Sequence, residues 1–182
     1  MLKMKKKVFR LKEMINQFLN EQLQFSPGER FEYSNSGYTL LGYIIETITK
    51  KPYTEVLQAK IFNPLNLNNY GFYRHRPLIK NMSSGYNKGF GDYFNIDYSD
   101  ESSAYAAGAI YSTVEDLYLW NQALYSETLL PKNYLDLMFT KHVKDIGYGG
   151  YYGYGWELKE KPMGNSNENI ETIGHSGSID GF

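Results

Sequence analysis

The stretch from Tyr38 to Ile48 constrains this chain more than any other. Leu40, Leu41, Ile44 and Ile45 leave it apolar on most sides, so it reads as a helix that needs cover nearly all round. Pro52 stops it, and Lys50–Lys51 suits the negative end of its dipole. Upstream, Leu11, Met14, Ile15, Phe18 and Leu19 recur at helical spacing and predict an amphipathic helix ending before the turn signal Ser26–Pro27–Gly28. Downstream, a helix is expected from Tyr53 to Phe62, closed by Pro64, then a turn over Asn66–Asn69 and a short strand at Gly71–Phe72–Tyr73. Arg74–Ser103 is rich in Gly, Asn, Ser, Asp and Tyr without periodicity and reads as a long surface excursion.

Order returns at Ala106–Tyr111. Ser112 or Thr113 then caps a helix with Glu115 and Asp116 in its first turn, and Val114, Leu117, Tyr118, Asn121 and Leu124 share one of its faces. Pro131 opens another helix, running to Phe139. The aromatic run Tyr151–Leu158 predicts a strand, and a polar turn over Met163–Asn169 leads to Ile173–Ser178. Helices grouped ahead of late strands make the fold class α+β, a sheet with helices packed on it. No internal repeat argues for a solenoid.

Length and charge then narrow the function classes. At 182 residues the chain is one domain or part of a larger one, and 42% apolar with 21% charged residues is a globular balance. The 18 tyrosines would serve a sugar- or peptide-binding surface, but for most of them core filling is the expectation. Nineteen basic against twenty acidic residues provide no field to gather nucleic acid. The basic run Lys3–Lys7, with Arg10 and Lys12 behind it, reads as a solvated end. With no cysteine, disulfides, thiolate chemistry and cysteine-ligated zinc are excluded. Arg10–Leu11–Lys12–Glu13 falls where a signal peptide needs an apolar stretch, so neither an export signal nor a membrane span is read, and the compartment stays open. His75, His142 and His175 are far apart in sequence, without carboxylates at ligand spacing, so no metal and no cofactor is expected.

Two short segments carry candidate chemistry. In Tyr33–Ser34–Asn35 a buried helix would hold the tyrosine rigidly while its hydroxyl faces a cleft. Beside a cation that phenol would lose its proton more readily and act as a base, and Asn35 would donate its amide to a substrate carbonyl. Taken singly the segment reads as a helix start, with Ser34 or Asn35 as cap and Tyr33 as packing. In His175–Ser176–Gly177 the histidine would orient or help protonate a reacting group. Gly177 would let a ligand approach the backbone, and the next amide would join an oxyanion hole. Singly, it reads as a turn with a surface histidine.

The two segments gain weight in context. Phe25 through Gly42 resembles the segment around the second catalytic motif of class C β-lactamases and penicillin-binding-protein-like serine hydrolases, including D-alanyl-D-alanine carboxypeptidases and esterases. Asn63–Leu67, Ala107–Thr113 with Asp116–Leu117, Tyr154–Gly155–Trp156 and Gly174–Gly177 match in the same order. The resemblance implies a β-lactamase/transpeptidase-like fold, an antiparallel sheet packed with helices. It also implies acyl transfer through an acyl-serine intermediate, with Tyr33, Asn35 and His175 catalytic and Ser176, Gly177 and Ser178 along the substrate and oxyanion hole. The implied substrate is a small acyl compound (D-alanyl peptide, β-lactam or ester), and the implied parent is a bacterial exported or envelope protein.

One departure is large. The family needs Ser-x-x-Lys, and no serine here has lysine three residues on, so no nucleophile is assigned. The expectation is an incomplete single domain, with residues 1–24 an amphipathic helix region and 25–182 a family-like core whose first and last elements are missing. It would be inactive alone. A non-catalytic peptide- or glycan-binding module, using the tyrosines of Tyr148–Tyr154, is the alternative. Self-association through an unpaired sheet edge is a further expectation.

Overall fold

In the computed structural model the described residues are 11–73, 78–89, 91–96, 101–144 and 149–179, with the side chains of 101–103 excepted. The basic run Lys3–Lys7, Arg10, His75, Tyr148, Asp180–Phe182 and parts of the 74–103 excursion lie outside them.

The helices form close to where the sequence places them, with the one expected from Tyr38 starting three residues earlier, at Asn35. α1 (Leu11–Phe18) buries Ile15. α2 (Asn35–Thr49) starts at Ser34, whose extended backbone turns its Oγ to accept the Gly37 N–H at 3.0 Å, satisfying one orphan donor of the first turn. It ends at Lys50, whose left-handed backbone (φ 57) lets its N–H reach the Glu46 carbonyl. α3 (Tyr53–Leu57) runs on as a π-helical turn to Phe62, and Leu57, Phe62 and Leu67 make a small core with Tyr53, Ile61, Leu65, Tyr70 and Phe72 packed on it. α4 (Val114–Ala123) is capped by Thr113, and α5 (Lys132–Met138) follows Pro131.

Three antiparallel sheets complete the described architecture. β1 (Gly71–Phe72) pairs with β4 (Ile110–Tyr111), and β2 (Tyr86–Gly89) with β3 (Asp92–Asn95). The third sheet has the order β5 (Val143–Lys144), β6 (Tyr151–Tyr152), β7 (Glu157–Pro162), β8 (Asn169–Gly174), with β8 at an edge among the described residues.

Several expectations change. The excursion contains the β2–β3 hairpin and runs into a 3₁₀ segment, Glu101–Ala107, kinked at Tyr105; the hairpin strands are mostly exposed and lack the alternation that marks a half-buried strand. The single strand expected over Tyr151–Leu158 is a hairpin instead, because Gly153–Trp156 reverse the chain so that Tyr152 pairs with Glu157. Gly153 has to be glycine there, since a Cβ would lie 2.5 Å from the Met138 carbonyl oxygen.

α2 is not covered all round. Its buried positions are Thr39 and Gly42, where the 3₁₀ segment comes so near that a Gly42 Cβ would sit 2.5 Å from the Ala106 Cβ, while Leu41, Ile44 and Ile48 are exposed. α4 likewise exposes Val114, Leu117 and Tyr118 and buries Asp116 and Ala123. Nor do most tyrosines fill the core: Tyr152 is the only one buried among the described residues. Composition states how much surface wants cover, but not which element supplies it.

Candidate active site

A pocket of about 1150 Å³ opens where α1, the start of α2, the end of the 3₁₀ segment and the chain after β8 converge. Tyr33, Asn35, His175, Ser176, Gly177 and Ser178 all line it, so residues 140 positions apart in the sequence share one cavity wall.

The cap at Ser34 fixes the near side. It places Tyr33 just before the helix and Asn35 as its first residue. Tyr33 is not a packing residue of the core; it is exposed, with its ring 5.8 Å from His175 and edge-on to Tyr152 at 6.4 Å. Its hydroxyl donates to Asn35 Oδ1 at 3.0 Å, which leaves the Asn35 amide nitrogen as that side chain's donor for other partners. Among the described residues lining the pocket there is no lysine or arginine to favour a phenolate.

Sheet register fixes the far side. Tyr152 pairs with Glu157, Glu157 pairs with Gly174, and His175 is the next residue. The His175 Nδ1 lies 2.6 Å from the Ser176 carbonyl oxygen, which only accepts, so Nδ1 carries the proton. Nε2 of the neutral ring is then an acceptor, and the Tyr152 hydroxyl donates to it at 2.8 Å. Ser176 Oγ donates to Glu157 Oε1 at 3.3 Å, and Glu157 is ion-paired with Lys159. A Cβ added at Gly177 would meet nothing within 4 Å, so the backbone is open to approach there.

Burial and its phenolic neighbours Tyr38 and Tyr33 push the Tyr152 pKa upward, keeping it a protonated donor. Burial also raises Tyr38, although its hydrogen bond with Tyr152 pulls the other way. The hydrogen bond from Lys159 holds the Glu157 carboxyl below its ordinary value, so it is charged at neutral pH.

Comparisons with known proteins agree with the motif order. The family model described as Beta-lactamase matches residues 2–182. The chain belongs to the beta-lactamase family. Within that family it is similar to penicillin-binding protein 4* of Bacillus subtilis (27% identical, 93% of this chain, 40% of the relative) and to protein flp of Staphylococcus aureus (29%, 95% and 34%). Among solved structures it resembles the D-amino acid amidase of Ochrobactrum anthropi SV3 (TM-score 0.79, 29% identical, 97% of this chain, 52% of that one). A penicillin-binding protein of Bacillus halodurans also matches (TM-score 0.71, 30% identical, 82% and 47%). The chain thus spans well under half the length of these two curated relatives. The α+β, β-lactamase/transpeptidase-like fold and the serine-hydrolase, penicillin-binding-protein-like membership follow from these matches.

The beta-lactamase-family motifs did not single out Tyr152, Glu157 or the α1 residues Met14, Gln17 and Phe18, all of which line the pocket. Tyr152 stands two residues before the matched Tyr154–Gly155–Trp156 segment and within the tyrosine run Tyr148–Tyr154. His142 is elsewhere, stacked on Tyr154 at 4.2 Å with Nε2 at 2.8 Å from the Leu137 carbonyl oxygen. Among the described residues no group of three or more His, Asp or Glu side chains is placed to hold a metal ion, and no helix is long and apolar enough to cross a membrane.

Proposed function

We propose that this chain supplies the tyrosine and oxyanion walls of a serine acyl-transfer site acting on small acyl substrates: D-alanyl peptides, β-lactams, small esters or D-configured amides. The observation that carries this reading is the shared pocket of Tyr33, Asn35 and the His175–Ser178 segment. Tyr33 would take the proton of the attacking hydroxyl and return it to the leaving group. Asn35 would donate its amide to the substrate carbonyl, and the Ser178 N–H would stabilise the oxyanion. His175 would align the strand end along the substrate. The amidase among the structural relatives and the penicillin-binding proteins among both sets motivate the substrate range.

Because none of these 182 residues forms Ser-x-x-Lys, no acyl-enzyme is expected on this chain by itself. The test is labelling of the native and denatured chain with a fluorescent penicillin and a fluorophosphonate, followed by mass-spectrometric mapping. Absence of folding-dependent label is the expected result. A native-only adduct on Ser36, Ser176 or Ser178, the serines lining the pocket, would overturn it. Binding of a D-amino acid amide that shifts the Asn35 and Gly177 amide resonances would support the substrate class; unchanged resonances at millimolar ligand would count against it.

A further inference from the structure

We propose that Tyr152 is a positioning residue, whose hydroxyl sets the tautomer and rotation of His175 and so the path of the Ser176–Ser178 backbone along the pocket. Tyr152 is 5% exposed, the most buried ring near the site. Phe31 at 5.0 Å and Tyr33 at 6.4 Å pack against it, and its hydroxyl bonds to His175 at 2.8 Å. The bonds can be satisfied in one order. Ser176 O accepts from Nδ1, and Nε2 accepts from the Tyr152 hydroxyl.

This arrangement has a chemical consequence. Both ring nitrogens are engaged, so His175 offers no free nitrogen to a substrate in this geometry; a proton reaches Nε2 only if the Tyr152 bond reverses from donor to acceptor. What His175 fixes is its own neighbour, since the Nδ1 bond closes on the Ser176 carbonyl and the Ser176 hydroxyl is held in turn by Glu157. Tyr152 therefore acts on the substrate wall through His175. The meaning for acyl transfer rests on the proposed function, but the tautomer does not and is readable without turnover.

Long-range ¹H–¹⁵N spectra of the uniformly labelled 182-residue chain at about pH 8, above the ordinary histidine pKa, test the assignment. The native chain is expected to show His175 as a single Nδ1–H tautomer. Tyr152→Phe keeps the ring packing and removes the hydroxyl; it should let the Nε2–H form appear and move the Gly177 and Ser178 amide resonances. Tyr38→Phe leaves the Tyr152 donor in place and should keep the native tautomer. An Nε2–H ring in the native chain overturns the assignment even if Tyr152→Phe fails to fold. So does a folded Tyr152→Phe chain with the tautomer and both amides unchanged.

Discussion

The β6–β7 hairpin and the helices α2 and α4 treat their apolar residues in opposite ways. In the sheet of β5 to β8, Leu158 is 2% exposed, Tyr152 is buried beneath Phe31, and the backbone closes over Gly153 too tightly to admit a Cβ. On the helical side, Ile48 is 75% and Val114 76% exposed, and what α2 and α4 bury includes Thr39, Gly42 and Asp116. The difference teaches that α2 and α4 are held by caps, small-residue contact and one buried carboxylate, while the β6–β7 hairpin is held by burial. The pocket lies at the junction and takes its rigid wall from the sheet.

The sharpest way to break this contrast is a pair of truncations. Leu158→Ala should cost about 2–5 kcal/mol in urea denaturation, because the sheet leaves a cavity that cannot collapse. Ile48→Ala, already in water, should stay within about 0.5 kcal/mol. Equal losses would mean that the helical face is covered in solution. Next in size is Asp116→Ala. Asp116 is 3% exposed and accepts the Asn69 N–H at 2.6 Å across 47 residues, so its removal leaves that donor unpaired; a loss of about 1–3 kcal/mol is expected. A loss below 0.5 kcal/mol would show that α4 is not tied down by this carboxylate.

The smallest effect is a pH dependence. Glu157 is held below the ordinary value of 4.5, chiefly by Lys159. Its stabilising contribution is therefore full above 4.5 and lost as pH falls through the lower folded value. The gap in melting temperature between the native chain and Glu157→Gln should be largest near pH ~6 and shrink towards pH ~3. A gap that widens on acidification would reverse the sign and remove Glu157 from the sheet's account.

Much of the site was legible because its parts are local. A serine before an apolar run caps a helix whatever surrounds it, so Tyr33 and Asn35 follow from the cap at Ser34. The order of motifs from Phe25 to Gly177 named the family, and the family match extends over residues 2–182. The polar hairpin of β2 and β3 was not legible, since strands exposed on both faces leave no periodicity to read. Nor was the fate of the apolar helices, because a hydrophobic stripe states a need for cover without specifying its source.

The sequence by itself determined which segments are helical, which residue types could do acyl chemistry, and the absence of Ser-x-x-Lys within these 182 positions. Only the tertiary structure decided that Tyr152 meets His175, that Asp116 holds Asn69, and that Tyr33 donates its hydrogen bond to Asn35. The first two contacts are made between distant parts of the chain and depend on sheet register and helix packing. The third joins residues two positions apart, yet a spacing of two does not fix which way a phenol turns. Those geometries are set by the folded chain as a whole, because hydrogen bonds require direction and distance that residue order alone does not supply.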